Sequence, residues 1–267
     1  MPANDQTTPF PSKRNCIFRL LKRGFRYSCV LDVGVNYATP ELINLFPNLM
    51  HYLIEPVPFY NPEIQAHYNK INHQIINCAI GKANGSCEIQ TYAVDGGKKP
   101  THAKVTEIYH EVAPDAGQLK AYKESNGATQ LFEVPIYTLD SLIENYIFPS
   151  GVHENILLKI DVDSIELDIL QSLSNHSSAV SALVIEAHLE NCCDLIKCAQ
   201  SKNYVLEEIT DFCFKKGKMT QFDLVFVSQT NQLQKSTMDN DVPELIWKNW
   251  FQLSSIDPNP WNILPPD

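Results

Sequence analysis

The sequence predicts an α/β protein: a seven-stranded, mostly parallel sheet, last strand antiparallel, with helices on both faces. Three observations predict it. Short apolar runs at 29–34, 51–55, 74–80, 156–161 and 181–187 each end abruptly in polar or glycine residues. Runs of that length read as strands buried on both faces of a parallel sheet. Helix-like stretches separate them, which is the alternation that builds such a sheet. The last two strands, 203–209 and 222–228, have only Asp211 to Gln221 between them. That link is too short for a parallel crossover, so the pair should form an antiparallel hairpin.

The elements follow in order. Residues 1–12 are polar and contain proline, as a loose tail does. Residues 13–27 read as a basic amphipathic helix. Ile17, Leu20 and Leu21 share a face, with Lys13, Arg14, Arg19, Lys22 and Arg23 around it. The expectation is a helix capping the sheet edge with a solvated basic face; the alternative is a membrane-surface or acidic-partner helix. Strand 29–34 leads to a helix near 39–47, where Pro40 fits the first turn. Strand 51–55 leads to a helix near 61–70, and strand 74–80 ends at Gly81. Segments 86–92 and 132–138 are β-like, with a helix expected near 103–112 between them. Helix 139–147, strand 156–161, helix 164–174, strand 181–187 and helix 189–202 complete the alternation. The layout is then a tail and basic helix (1–28), a main domain (29–228) with an insert at about 93–131, and a C-terminal helix and tail (229–267) folded back on it. That last stretch holds all three tryptophans.

Composition narrows the function. The chain has 267 residues, enough for one large α/β domain. A formal net charge of −10 argues against a general nucleic-acid binder, which needs a basic surface. No apolar run approaches a membrane span, and the N-terminus lacks the layout of a secretory signal. The eight cysteines include no CxxC pair. Cys192, Cys193 and Cys198 fit no standard zinc spacing and read as reduced thiols on a helix. A cytoplasmic location is expected from that.

The chemistry gathers at strand ends, where open α/β sheets bind ligands. The first strand ends in Asp32, Gly34 and Asn36; the second ends in Glu55. A glycine turn after one strand and an acid after the next is the layout of a nucleoside crevice. A dinucleotide fingerprint would need two more glycines, and the turn instead continues Tyr37, Ala38, Thr39. With no basic residue or P-loop there, a phosphate is a poor fit. A cofactor with an amino-acid end and an adenosine end fits better, and S-adenosylmethionine is one. Asp32 and Asn36 suit its ammonium, Glu55 suits the ribose, and Thr39 is a further candidate contact. Asn77, Cys78 and Ala79 would lie beside the adenine.

Two further groups stand at later strand ends. In Lys159-Ile160-Asp161-Val162-Asp163-Ser164-Ile165-Glu166, Asp163 or Ser164 is a natural N-cap and Glu166 suits the first helical turn. Lys159, inside an apolar strand, needs an acid, and Asp161 is on the same face. Glu186 and His188 also share a face and could join Asp161 in an acid–base pocket. These three are also residue types that hold Mg²⁺, but no metal is expected.

The order of these motifs resembles the FkbM family of S-adenosylmethionine-dependent methyltransferases. The resemblance runs from Val30 to about Glu190. It rests on Asp32-Val33-Gly34-Val35-Asn36-Tyr37-Ala38, on Ile54-Glu55-Pro56-Val57-Pro58, and on Asn77-Cys78-Ala79-Ile80-Gly81. It continues in Val134-Pro135 with Thr138-Leu139-Asp140, in the Lys159–Glu166 stretch, and in Ile185-Glu186. Ala38 stands where the family has a second glycine, and Asp163-Ser164 where it has Glu-Gly. The resemblance implies the class I methyltransferase fold, Rossmann-like, with strand order 3-2-1-4-5-7-6. It implies cofactor contacts at Asp32, Gly34, Asn36, Glu55 and Asn77–Ala79. Asp161 is then expected nearest the transferred methyl group, as orienter or base, with His188 second and Lys159 and Glu186 tuning the site.

The insert and tail should frame an acceptor pocket, with Tyr92, Tyr109, His110, Trp247 and Trp250 as aromatic candidates. The resemblance points to O-methylation of a hydroxyl on a sugar, polyketide or other secondary metabolite. N-methylation of an amide or amine, including a side chain of a modified peptide, is the alternative. An NAD-dependent oxidoreductase and a non-catalytic binding module are remoter readings. The acceptor is a small molecule or peptide, not nucleic acid.

Overall fold

A computed structural model describes residues 11–92, 102–109, 120–125, 129–162 and 165–230. The central strand is β1 (Cys29–Val33), buried along its whole length. It pairs in parallel with β2 (Met50–Ile54) on one side and, across the sequence, with β9 (Ile156–Ile160) on the other. Beyond β2 lies β3 (His73–Ile76); beyond β9 lies β10 (Val180–His188). The hairpin β11 (Tyr204–Lys215) and β12 (Lys218–Ser228) closes the sheet, with β12 antiparallel to β10. Counting only these seven strands in chain order gives 3-2-1-4-5-7-6, the predicted order. Lys216 and Gly217 both have positive φ at the hairpin tip, as a tight two-residue turn requires.

Helices cover both faces. On one face α4 (Leu139–Leu142, continued by a π-helical turn to Ile147), α5 (Glu166–Gln171) and α6 (Cys192–Ser201) pack on Leu31, Val33, Leu158 and Leu183. On the other, α1 (Lys13–Lys22) and α2 (Pro40–Leu45) pack on Val30, Leu157, Val184 and Val225. Helix α3 (Asn61–His67) lies further along, with Ile64 against Leu53 and Val57. The basic residues of α1 are not simply solvated. Lys13 pairs with Asp223, Arg19 with Glu208 and Arg23 with Glu207, so the helix is clamped to β11 and β12.

Two expectations need correction. The strand expected over 74–80 breaks at Asn77. Its amide donates to the Glu55 carbonyl oxygen at 2.8 Å and exchanges hydrogen bonds with the Asn61 amide. The chain leaves the main sheet there, and β4 (Ala79–Ile80) joins a second, five-stranded sheet. That sheet contains β5 (Gly85–Tyr92), β6 (His102–Tyr109), β7 (Lys120–Ser125) and β8 (Thr129–Tyr137). The helix expected near 103–112 is therefore strand β6 over most of its length. Val105, Thr106 and Ile108 are β-branched, and pairing with β5 satisfies the backbone of this stretch. Tyr92 and Tyr109 end strands β5 and β6. His110, Trp247, Trp250, Asp163 and Ser164 lie outside the described residues, as does most of the tail.

Candidate functional site

One face of the sheet changes character along its length. Toward the bottom, alternate residues of that face are Val30, Leu157, Ala182 and Val184, with Val225 and Val227 on the antiparallel strand, all in one apolar cluster. Two residues further toward the top stand Asp32, Lys159, Glu186 and Asp223. Asp32 pairs in register with Lys159, and Glu186 with Asp223. Glu55 continues the same face of β2 past Leu53. The period of two that buries the core thus lifts a row of ionisable groups to the strands' carboxyl ends.

A cavity of about 890 Å³ opens above this row. Gly34, Asn36, Thr39 and Glu55 line it toward β1 and β2, and Cys78 and Ala79 toward β4. Lys159, Asp161, Glu186 and His188 line it toward β9 and β10. Sequence reasoning missed Tyr60, Lys13 and Gln221, which also line it. Two expected contacts do not. Asp32 is fully buried below the floor, and Asn77 is held by Glu55 and Asn61 behind the wall.

Asp32 acts through its neighbours. It accepts from the Thr39 hydroxyl at 2.6 Å and from the Lys159 ammonium at 3.1 Å. Thr39 stands at the N-cap of α2 but makes no capping bond, because its hydroxyl is turned to Asp32. Lys159 reaches Asp161 at 3.1 Å and the Gly34 carbonyl oxygen at 3.4 Å. An ammonium has three protons, and these three acceptors take them all. Burial would lower the Lys159 pKa, but Asp32 and Asp161 outweigh it and hold the ammonium charged. Lys159 is therefore a fixed cation and not a base.

Asp161 is the exposed end of this chain, with about a third of its side chain open. Burial pushes its pKa up, but Lys159, Lys13 and a hydrogen bond from Glu186 pull it below the usual carboxylate range. Glu186 moves the other way: burial and the charges of Asp161, Asp223 and Glu166 raise its pKa. The two make an acid–carboxylate pair, with the proton on Glu186. The Nδ1 of His188 lies 3.1 Å from the Thr220 carbonyl oxygen. A carbonyl can only accept, so Nδ1 carries the hydrogen and neutral His188 keeps Nε2 as its basic nitrogen. Its backbone N–H donates to Asn191 at 2.8 Å, fixing the strand end. Among the described residues, no three His, Cys, Asp or Glu side chains are grouped to hold a metal ion.

At the other end, Glu55 closes the turn after β1. Its two carboxylate oxygens accept the backbone N–H of Asn36 at 2.8 Å and of Val57 at 2.9 Å. Asn36 adopts a left-handed φ of 53°, which asparagine tolerates. Burial pushes the Glu55 pKa up to about 7 against the pull of those two N–H groups. Each oxygen retains a second lone pair for a donor in the cavity.

The model of the FkbM methyltransferase domain matches residues 32–217. The chain belongs to the FkbM methyltransferase family. Solved structures similar to this FkbM protein include magnesium protoporphyrin IX methyltransferase from Synechocystis PCC 6803, solved with bound SAM. Identity is 7%, the TM-score 0.38, and the match covers 80% of this chain and 76% of that one. Another is a putative sarcosine dimethylglycine methyltransferase from Galdieria sulphuraria, at 10% identity and a TM-score of 0.36, covering 81% and 85%. Comparison with curated proteins finds no significant match. Lys13, Gln221 and Asp223 lie outside the range that the family model matches, although Lys13 and Gln221 line the same cavity.

Proposed function

We propose that this FkbM methyltransferase uses S-adenosylmethionine to methylate a hydroxyl of a sugar, polyketide or other secondary metabolite. When bound, the cofactor supplies an electrophilic methyl carbon on a sulfonium leaving group. The residues present fit it. Glu55 offers buried carboxylate lone pairs to two ribose hydroxyls, and Cys78 and Ala79 give a flat apolar wall for the adenine. Thr39 and the Asn36 turn face the amino-acid end. The observation that carries the reading is the arrangement beyond that end: an anionic Asp161 held by Lys159, with His188 lining the same cavity.

Asp161 is too weak a base to deprotonate an alcohol, and its place suits orienting one. His188 takes the hydroxyl proton at Nε2, since its other nitrogen is committed to Thr220. Protonated Glu186 keeps Asp161 from rotating away. The work is largely positioning, because the leaving group is already charged. The setting we infer is cytoplasmic natural-product synthesis, supported by eight free thiols. Among the described residues, no helix is long and apolar enough to cross a membrane.

The test is methyl transfer from S-adenosylmethionine to a panel of hydroxyl and amine compounds, read as a mass gain of one methyl group. Transfer to amines alone would overturn O-methylation. Replacing His188 by alanine should lower kcat roughly 10²–10⁴-fold, the usual worth of a general base. The loss should shrink for a phenol, whose hydroxyl is more acidic; an equal loss on both acceptors would remove His188 as the base.

Glu55 makes a pH prediction. Ribose hydroxyls donate to the ionised carboxylate, so cofactor binding favours loss of the Glu55 proton. Affinity for S-adenosylhomocysteine should rise with pH through about 7 and level off above. The folded protein runs the other way. A carboxyl raised from 4.5 to about 7 binds more protons folded than unfolded, so its stabilising share is lost as pH climbs through that window. Calorimetric titrations at pH 6 and pH 8 check the first sign, and urea melts the second. Glu55→Gln should abolish the affinity slope.

A further inference from the structure

Lys13 is placed with care for a residue near the chain's start. Cys16, Ile17 and Leu20 bury one face of α1, and Asp211 accepts the Lys13 backbone N–H at 2.5 Å. The ammonium then reaches Asp223 at 2.6 Å while lining the cavity. Burial would lower its pKa, but Asp223 outweighs that and keeps it charged. One bond to Asp223 leaves two ammonium protons for another acceptor.

We propose that Lys13 and Gln221 form an acceptor subsite for a neutral, polyhydroxylated ring, with Lys13 donating to a hydroxyl next to the one methylated. This rests on the reading of the protein as a hydroxyl methyltransferase. Charge excludes an anionic ring, and the Lys13 ammonium that donates to the ring disfavours a cationic one. Lys13 and Asp223 cancel, while Asp32 and Asp161 exceed Lys159 by one negative charge, so an anionic acceptor is repelled. Hydrogen-bonding capacity makes it polyhydroxylated. A hydroxyl both donates and accepts, and this wall mixes donors (Lys13, the Gln221 amide) with acceptors (His188 Nε2, Asp161). Val162 and Ile165 supply an apolar wall for ring C–H groups. One hydroxyl on an apolar skeleton would leave Lys13 and Gln221 unsatisfied once water is expelled, which a site discriminates against strongly.

The experiment compares wild type with Lys13→Met on three acceptors: a neutral methyl hexoside, the matching uronate glycoside with its carboxylate free, and cyclohexanol. Wild type should favour the hexoside by about tenfold or more in kcat/KM over each of the others. Lys13→Met should raise the hexoside KM about tenfold and keep S-adenosylhomocysteine affinity within about twofold. Lys13→Met with Asp223→Asn restores charge balance if the single variant folds poorly, and it should show the same KM shift. Hexoside methylation with an unshifted KM in both variants overturns the subsite and leaves hydroxyl methylation standing. Preference for the uronate or cyclohexanol overturns it equally. Methylation of amines and of no hydroxyl compound overturns the parent reading, and the subsite with it.

Discussion

Replacing Lys159 by methionine should lower the unfolding free energy by about 3–5 kcal/mol, the usual result of removing one partner of a buried ion pair. Lys159 is 4% exposed and Asp32 not at all, so the variant leaves a buried carboxylate without its cation. Methionine keeps the stem's bulk and its packing, which isolates the charge. The second variant is Lys159→Met with Asp32→Asn. It removes the stranded carboxylate and should recover at least about half of the loss, because much of the damage is an uncompensated charge and not a missing bond. Urea denaturation of the four proteins in that cycle gives the coupling energy directly. Additive losses would show that Lys159 and Asp32 do not act as a unit. Turnover should fall in both variants, since Asp161 loses the cation that fixes it. Recovered stability with unrecovered activity is the expected signature of a residue that positions another.

The row of charges explains what could be read from sequence and what could not. Each member was visible as a polar residue ending an apolar run, and the period of two within a strand linked Lys159 to Asp161 and Glu186 to His188. Register between strands is a property of the folded sheet. Only pairing places Asp32 beside Lys159, and only burial shows that Asp32 is enclosed while Asp161 opens to the cavity. Lys13 was legible as a helix cation and nothing more. Its partner Asp223 is 210 residues away, and a contact of that separation leaves no local trace. The insert failed for a different reason. Ala103, Lys104 and Glu107 suit a helix as well as a strand, and the edge of β5 decides between them. The turn after β1 shows the reverse case, where the residue was recognised but its reason was incomplete. Gly34 was expected as the turn glycine and a cofactor contact. The structure adds a demand from within the chain.

Gly34→Ala should be among the most damaging single-methyl additions this protein can receive. Gly34 has a φ of 83°, and an added Cβ would lie 1.8 Å from the Asp161 carbonyl oxygen and 2.9 Å from a Val162 methyl. The backbone conformation alone costs about 1–2 kcal/mol for an L-residue. Overpacking adds roughly 1–3 kcal/mol, and here the obstacle is a carbonyl that cannot swing aside as a side chain could. Asp161 is tied at that point, because its N–H donates to the Val33 carbonyl at 2.9 Å. Relief must therefore come from parting the ends of β1 and β9, which carries Asp161 away from Lys159 and widens the cavity floor. The proper control is Gly24→Ala. Gly24 also has a positive φ, of 91°, but an added Cβ there meets nothing within 4 Å. It reports the conformational cost by itself. Urea melts should place Gly34→Ala below Gly24→Ala by at least about 1 kcal/mol, and methyl transfer should fail in the first while surviving in the second. Equal losses in the two variants would mean that the turn yields freely and that the close approach of β1 to Asp161 constrains nothing.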